Sequence, residues 1–170
     1  KTQDKFDEAE PLYRRALEAR ERKLGPDHKD TLNSVNRLGT LLRAQGKFDE
    51  AEPLLLRALE ARERLLGPDH DDTLGSASNL GLLFKDQGKL DEAESMIRRA
   101  LETQERIFGP DHNDTLNYRG NLGIVLMQLG NEEGRATIVK VLSSLSSPPH
   151  ALPPATDPWI KKFKAALELA

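Results

Sequence analysis

The chain has 170 residues, with 25 lysines and arginines against 28 aspartates and glutamates and a formal net charge of -3. Because acidic and basic residues are interleaved, the sequence lacks the clustered basic surface that broad nucleic-acid binding needs. It has no cysteine, which excludes disulfides and thiolate metal sites, and no apolar run of the roughly 18 residues that a membrane span requires. We therefore expect a soluble chain in the cytoplasm, without nucleic-acid or membrane binding.

A unit of 42 residues recurs along the chain, over residues 46–87 and 88–129, and residues 5–45 carry the same unit without its first residue. At its start, KFDEAEPLYRRALEARERKLGPDH aligns with KFDEAEPLLLRALEARERLLGPDH and then with KLDEAESMIRRALETQERIFGPDH. A period of this size is typical of helical repeats that stack into an array. Since the first unit opens partway through the repeat, we interpret the chain as part of a longer protein.

Each unit opens with a long helix, which we place over residues 5–24 in the first unit. In the second unit its apolar residues are three, four and seven positions apart, which is the spacing of one helix stripe. That stripe comprises Phe48, Ala51, Leu54, Leu55, Ala58, Leu59, Leu65 and Leu66. The charged residues on the other faces, Arg62 among them, often have opposite charges three or four positions apart, and we interpret them as solvated.

The motif GPDHKDTL follows the first long helix and returns as GPDHDDTL and GPDHNDTL. Its glycine suits a left-handed C-cap, and its proline cannot continue the helix. We predict that the second aspartate of the motif, or the adjacent threonine, caps the next and shorter helix. These aspartates are Asp30, Asp72 and Asp114.

The histidine of this motif, which is His28, His70 or His112, has acidic neighbours that could share a metal ion with it. Each repeat supplies one histidine, however, and the copies would lie far apart along an array. We therefore predict a hydrogen bond and packing at the corner between repeats, with no metal ion and no cofactor. The sequence also lacks a nucleophile triad, a phosphate-binding loop and a zinc-helix motif, so we predict that the chain is not an enzyme.

The shorter helix leads through a glycine hinge into the next long helix, with small residues at fixed positions that allow close packing. These marks are Leu38, Gly39, Leu42, Gly46, Phe48 and Ala51, matched by Leu80, Gly81, Phe84, Gly88, Leu90 and Ala93. The pattern resembles the tetratricopeptide repeat (TPR), and the 42-residue form resembles the repeats of kinesin light chain. The resemblance implies an all-α fold, a right-handed α-solenoid of antiparallel helix pairs.

On this basis, residues 1–145 form a TPR solenoid made of the second helix of a preceding repeat, two full repeats and one degenerate terminal repeat. Residues 146–157 form a linker rich in proline and serine. Residues 158–170 form an amphipathic helix, which we predict to cap the exposed last repeat. Two alternatives stay open: the helix lies in the array's own groove, or it docks on a partner.

The third repeat departs from the first two. Its last helix lacks the DEAE signature but keeps an apolar stripe, formed by Ile138, Val141, Leu142 and Leu145. Arg119 stands where the earlier repeats carry Val35 and Ala77, and one hypothesis is that it pairs with Glu132 or Glu133.

The family resemblance also implies a binding surface, because its short helices line a concave face on which extended peptides lie. Asn79 and Asn121 match the asparagine with which the family holds the peptide backbone, whereas Arg37 replaces it in the first repeat. The predicted peptide-binding residues are Asn79, Asn121, Arg37, Arg43, Leu82, Lys85, Ile124 and Met127. Since this surface passes from basic to apolar, we predict a protein or peptide partner with an acidic flank and an apolar anchor.

A second interpretation is a structural spacer or self-association element with no peptide in the groove. An uncapped N-terminal end would expose Leu12, Leu17 and Leu24. Exposed apolar surface of this kind favours association with further repeats or with another copy of the chain.

Overall fold

The computed structural model describes residues 2–145 and 158–168 of the chain. The helices found there are α1 (Thr2–Leu24), α2 (Lys29–Ala44), α3 (Phe48–Leu66), α4 (Asp71–Asp86), α5 (Leu90–Phe108), α6 (Asn113–Gln128), α7 (Glu133–Leu145) and α8 (Pro158–Glu168). These residues contain no β-strand, and the predicted all-α class is confirmed. The predicted linker at residues 146–157 lies outside the described residues. No described helix combines the length and the apolar character that crossing a membrane requires.

Contacts between helices divide the chain into two units, Lys1–Gln87 with α1 to α4 and Gly88–Ala170 with α5 to α8. We call them unit 1 and unit 2. In unit 1 each helix packs against the next one along the chain, and α2 also contacts α4. In unit 2, α6 packs against α5 and α7, and α8 contacts both α6 and α7. The long and short helices of unit 1 therefore alternate as the repeat predicts.

A glycine allows close approach of two helices in each unit. A Cβ atom at Gly39 of α2 would lie 2.8 Å from the side chain of Leu55 in α3, which is fully buried. In unit 2, a Cβ atom at Gly123 of α6 would lie 2.8 Å from Ile138 of α7, which is also fully buried. The large apolar side chain thus fills the space that the glycine leaves, which gives the dense packing of a protein interior.

The histidines of the GPDH motif are the N-cap residues of the short helices, so the prediction of an aspartate or threonine cap is wrong. In α4, His70 Nδ1 accepts a hydrogen bond from the backbone N–H of Asp72 at 3.1 Å. The equivalent bonds in α2 and α6 join His28 to Asp30 at 3.2 Å and His112 to Asp114 at 3.3 Å. Each short helix therefore begins at the residue after its histidine, and the aspartate lies in its first turn, where the helix dipole favours a negative charge.

Replacing His70 by alanine is expected to lower the free energy of unfolding by about 1 kcal/mol, because the cap acceptor is lost. His70→Asn is the matched control, since asparagine supplies a side-chain oxygen that caps a helix well. Urea unfolding monitored by circular dichroism would measure both variants. Equal losses in both would assign the effect to packing of the ring rather than to its Nδ1 acceptor.

Arg62 is not on a solvated face, contrary to the sequence prediction, because it is 5% exposed. Its guanidinium donates to the backbone oxygen of Asp72 at 3.0 Å, to the hydroxyl of Ser76 at 2.7 Å and to the side-chain oxygen of Asn33. These acceptors lie on α4 and α2, so the side chain joins three helices. Burial lowers the pKa of Arg62, an effect that the nearby Asp72 opposes.

Arg119 of α6 is paired with α5, so the hypothesis of a pair with Glu132 or Glu133 is wrong. Its Nη2 atom lies 3.2 Å from Glu105 Oε2, and its Nη1 atom donates to the backbone oxygen of Pro110 at 3.2 Å. The arginine thus reaches the loop after α5 instead of the hinge before α7.

The spacing between equivalent contact residues is one residue shorter from α6 to α7 than from α2 to α3. Gly39 precedes Leu55 by 16 positions, whereas Gly123 precedes its equivalent Ile138 by 15. Gly134 precedes Ile138 by four residues, as Ala51 precedes Leu55, so the two positions are equivalent. A Cβ atom at Gly134 would lie 2.5 Å from the backbone nitrogen of Met127. This shorter spacing places α7 against the backbone of α6.

Candidate peptide-binding surface

An open groove in unit 1 brings together two of the predicted peptide-binding residues, Arg37 of α2 and Asn79 of α4. The groove has a volume of about 380 Å³. Its lining is formed by Phe6, Tyr13, Arg37, Thr40, Leu41, Ala44 and Asn79. It thus combines two aromatic rings with a guanidinium group and an amide, which suits a ligand that has both apolar and polar groups. We call it the Asn79 groove.

The two asparagines beside this groove are hydrogen-bonded to each other, since Asn79 Nδ2 lies 3.3 Å from Asn36 Oδ1 and donates to it. A side-chain amide has two N–H donors and an acceptor oxygen with two lone pairs. One such bond therefore leaves Asn79 with the capacity to donate to and accept from a peptide backbone. Both side chains are half-buried, so they are held in place and still reachable.

Phe6 and Tyr13 of α1 were missed by sequence reasoning, which placed the peptide-binding residues on the short helices alone. Tyr13 occupies the position that Leu55 has in the next repeat. The replacement of leucine by tyrosine at this position was the sequence feature that could have indicated a binding residue. Tyrosine is enriched at interfaces because it combines an apolar ring with a polar hydroxyl.

The ends of α2 and α4 carry the predicted basic residues Arg43 and Lys85, and both are close to Asp86. Arg43 Nε lies 3.4 Å from Asp86 Oδ2, and Lys85 Nζ lies 2.7 Å from Asp86 Oδ1. Burial lowers the pKa of Arg43, and the carboxylate of Asp86 opposes that change. One acid thus partly balances two cations, so the basic character at this point is weaker than the sequence alone predicts. Leu82 in the same unit is 8% exposed and belongs to the core.

The three predicted binding residues of unit 2 lie beneath α8. Asn121 is 2% exposed, and its Oδ1 atom accepts a hydrogen bond from Lys162 Nζ at 2.6 Å. Ile124 and Met127 pack against the apolar cluster to which α8 contributes Ile160 and Phe163. The structure therefore separates the predicted residues into an open set in unit 1 and a covered set in unit 2.

Helix α8 takes the place of a further short helix next to α6. A Cβ atom at Gly120 of α6 would overlap the ring of Phe163, which is fully buried. Phe163 follows Gly120 by 43 positions, and Asn79 follows its contact Asn36 by the same 43. The spacing of the repeat thus continues into α8 across residues that do not resemble the repeat.

The outer face of α8 differs from that of α2. Helix α2 buries Val35, Leu38 and Leu42. The positions three repeat lengths later lie in α8 and are Lys161, Lys164 and Glu168. All three of these charged residues are exposed. Because charged side chains resist burial, this face disfavours the addition of another helix. This geometry supports the proposal that α8 caps unit 2.

Glu10 fixes α1, which carries Phe6 and Tyr13, against the start of α3. Its carboxylate accepts a hydrogen bond from Lys47 Nζ at 2.6 Å and another from Arg14 Nε at 2.9 Å. Lys47 first, and Arg14 second, lower the pKa of Glu10 to about 2 from its ordinary value of 4.5.

The stability of unit 1 is expected to fall below pH 5 in part through Glu10. Because its pKa is lower in the folded chain than in the unfolded chain, its contribution is complete above about pH 5 and is lost as the pH falls toward 2. Its partners are each 42% exposed, so solvent screening limits the effect to about 1 kcal/mol. Urea unfolding of wild type and Glu10→Gln at pH 7 and pH 2.5 would test this. A difference between the two proteins that does not shrink at the lower pH would contradict it.

The described residues contain no group of three or more His, Cys, Asp or Glu side chains that could hold a metal ion. In each repeat the histidine Nδ1 atom lies 3.7 to 4.0 Å from a carboxylate oxygen. That same nitrogen already accepts the capping N–H, so the ring nitrogen nearest the carboxylate is engaged at the start of a helix.

Comparison with known proteins identifies the family. The model of the tetratricopeptide repeat matches residues 2–63, 30–105 and 72–133. The crystal structure of a variant of a P. anserina protein, described as a kinesin light chain with nearly identical TPR-like repeats, has a TM-score of 0.73 and 20% identity, over 95% of this chain and 75% of that one. The crystal structure of BtubC (BKLC) from P. vanneervenii has a TM-score of 0.73 and 22% identity, over 96% and 68%.

Among curated protein sequences, none matches this chain. The two structural similarities are at low identity and show the fold, which is the TPR solenoid predicted from the sequence. Proteins built from such repeats generally mediate protein–protein interactions and are generally not enzymes. Because the family model covers residues 2–133, which is more than half of the chain, this chain belongs to the tetratricopeptide repeat family.

Proposed function

We propose that this chain is an interaction module that binds an extended peptide segment of a partner protein on the concave face of its short helices. The observation that carries the proposal is the Asn79 groove, where an amide able to pair with a peptide backbone lies beside Arg37 and two aromatic rings. We place this binding in the cytoplasm, where proteins rarely use disulfides, because this chain has no cysteine with which to form one.

The lining of the groove defines the peptide that it fits. Asn79 would donate to a backbone carbonyl and accept from a backbone N–H. Arg37 is exposed, so it would pair with an acidic side chain on the flank of the peptide, and this contribution would weaken as salt increases. Phe6, Tyr13 and Leu41 offer apolar surface for an aliphatic or aromatic anchor.

Selection from a random peptide library against the wild-type chain would test this function. The expected result is a class of peptides with one apolar anchor and adjacent acidic residues, whose affinity falls about tenfold in Asn79→Ala. Leu65→Ala is the control, because Leu65 is exposed at the end of α3 and is not part of the groove. If no peptide class is selected, or if Asn79→Ala binds equally well, peptide binding in this groove is excluded.

A structural spacer or self-association element is the second candidate. Leu12 is 63% exposed and Leu24 is 44% exposed, which favours this function, whereas Leu17 is buried at 8% and does not contribute. Sedimentation velocity from micromolar to millimolar concentration would separate the candidates. A chain that stays monomeric over that range argues against self-association and leaves peptide binding or a passive spacer.

A further inference from the structure

Two basic side chains and one carboxylate meet at the C-terminal ends of α2 and α4. They are Arg43, Lys85 and Asp86, with Asp86 in contact with both cations. The side chain of Arg43 is 20% exposed and that of Lys85 is 19% exposed, so both are largely withdrawn from water and still reachable. All three residues belong to unit 1. We call them the Arg43 cluster.

The guanidinium of Arg43 is only partly paired within this cluster. Its Nε and Nη1 atoms are buried, and neither has a hydrogen-bond acceptor among the described residues. Asp86 Oδ2, 3.4 Å from Nε, thus attracts the cation without making a hydrogen bond to it. A guanidinium has five N–H donors, and buried donors in proteins are rarely left unpaired. Two unpaired donors on one cation favour the approach of an anion.

The charge of the Arg43 cluster matches one additional carboxylate. Arg43 and Lys85 carry two positive charges and Asp86 carries one negative charge, so one positive charge is left over. A charge that is partly withdrawn from water attracts a counter-ion more strongly than a fully solvated charge does. A single carboxylate would neutralise the cluster and supply acceptors for the donors of Arg43.

The repeat forms its short helices without these charges. The position of Arg43 is taken by Met127 in the third repeat, and the position of Asp86 is taken by Ala44 in the first and by Gln128 in the third. Nevertheless α2, α4 and α6 are all helices of 16 residues. The cluster is therefore not a requirement of the repeat, which distinguishes it from the residues that build the fold.

The Arg43 cluster shares the seam between α2 and α4 with Asn79. Asn36 and its contact Asn79 are 43 positions apart, as are Arg43 and its contact Asp86. The two pairs are seven residues apart on each helix, which is about 10 Å at the rise of an α-helix. An extended peptide advances about 3.3 Å per residue, so about three residues span the distance between the pairs.

We propose that Arg43 and Lys85 bind one carboxylate group of a peptide that lies in the Asn79 groove, and that Asp86 sets the charge selectivity of this subsite by competing for the same two cations. The inference rests on the proposed function and adds a register to it. The carboxylate lies about three residues from the residue whose backbone pairs with Asn79. Arginine suits this task because its planar guanidinium can present two parallel N–H groups to a carboxylate.

Isothermal titration calorimetry with a pair of peptides would test the subsite. Both peptides are selected for the Asn79 groove and differ by glutamate or glutamine at the third residue from the one that pairs with Asn79. We expect the wild-type chain to bind the glutamate peptide about tenfold more tightly. The difference should fall below about threefold in Arg43→Gln. A peptide that ends at this position, as free acid or amide, distinguishes a C-terminal carboxylate from a side-chain one.

Asp86→Asn provides a test in the opposite direction. Removal of the competing carboxylate is expected to tighten binding of the glutamate peptide about tenfold and to change binding of the glutamine peptide less than about twofold. Such a gain of affinity cannot arise from a loss of folding. Arg64→Gln is the matched control, because Arg64 is 60% exposed on α3 and its removal should leave the ratio between the two peptides unchanged.

An experiment without peptide separates failure of the subsite from failure of the proposed function. Acetate is titrated while NMR follows the Nε–H signals of Arg43 and Arg64. We expect a saturable shift that is larger at Arg43 and larger still in Asp86→Asn. If acetate shifts Arg43 but no peptide binds, the carboxylate site is supported and only the proposed function is overturned. If Asn79→Ala weakens peptide binding but Asp86→Asn does not tighten it, or if acetate shifts Arg43 no more than Arg64, the subsite is overturned.

Discussion

Phe163→Ala is expected to lower the free energy of unfolding of unit 2 by about 3 kcal/mol, the largest effect that we predict for a single side chain. The ring is fully buried against Gly120 and shares an apolar cluster with Ile160 and Ile138. Its removal leaves a cavity, because the backbone of α6 cannot move to fill the space. Since Ile160 and Phe163 are the buried residues of α8 in the part of the helix whose side chains are described, we expect the helix to detach before the rest of unit 2 unfolds.

A local readout and a control variant separate detachment of α8 from general destabilisation of unit 2. Trp159 is the single tryptophan of the chain and lies in α8, so its fluorescence reports on this helix. Lys164→Ala is the matched control, because Lys164 is exposed on the same helix and its loss should change stability by no more than about 0.5 kcal/mol. If Phe163→Ala unfolds at the same urea concentration as Lys164→Ala, the assignment of α8 as a cap is wrong.

The same variant distinguishes a cap from a helix that blocks a binding site. Detachment of α8 exposes Ile124 and Met127 and frees Asn121 from Lys162. If peptides selected for the Asn79 groove bind Phe163→Ala at a second site, α8 covers a functional surface. If they bind with unchanged stoichiometry, α8 caps unit 2 without covering a peptide-binding surface.

Gly134→Ala is expected to destabilise the chain by about 2 to 3 kcal/mol, whereas Gly39→Ala should cost no more than about 1 kcal/mol. The added Cβ atom at Gly134 would meet backbone, at 2.5 Å from Met127 N and 2.7 Å from Gly123 O. At Gly39 it would meet the Leu55 side chain at 2.8 Å, and a side chain shifts by a few tenths of an ångström more easily than backbone does. Gly39 also lies inside a helix, where alanine gains about 1 kcal/mol of helix propensity that offsets the contact.

Thermal and urea unfolding of the two glycine variants would measure this difference. Insertion of one residue into the hinge before α7 is the second test, because it restores the spacing that α3 has. We expect the insertion to recover part of the stability of Gly134→Ala and to leave Gly39→Ala unchanged. Equal losses in both variants would contradict the importance of the shorter spacing between α6 and α7.

Much of the fold could be predicted from the sequence, because the same pattern of apolar, small and turn residues occurs in each repeat. Gly25, Gly67 and Gly109 have the positive φ of 88° that their position after the long helices predicts. The cap is different, because aspartate, threonine and histidine all offer an acceptor in the same loop. Which of them reaches the backbone N–H depends on the exact turn after the proline, and only the structure shows that turn. Arg62 was misassigned for a related reason, since periodicity does not reveal that α4 covers the charged side of α3.

The candidate site was partly predictable. Asn79 and Arg37 were placed on one surface by the family pattern, and the structure brings them to one groove. Tyr13 was not predicted, because a residue of the long helix enters this groove only through the packing of α1 on α2. The position of α8 on α6 was open among three alternatives, since amphipathic character alone does not say which surface a helix covers.

We expect the close contact between Gly39 and Leu55 to favour the correct register during folding. Residues 5–24 and 47–66 are nearly the same sequence, so α1 and α3 compete for the same face of α2 while the chain folds. Leu55 fills that face completely, and the larger ring of Tyr13 would not fit there. Misregistered or exchanged helices are a characteristic failure of repeat proteins. The two segments differ at three positions, and the exchange of Leu55 for Tyr13 is the one that lies at this contact. A chain with Leu55→Tyr would lose that distinction and fold more slowly, with exchanged dimers as a side product.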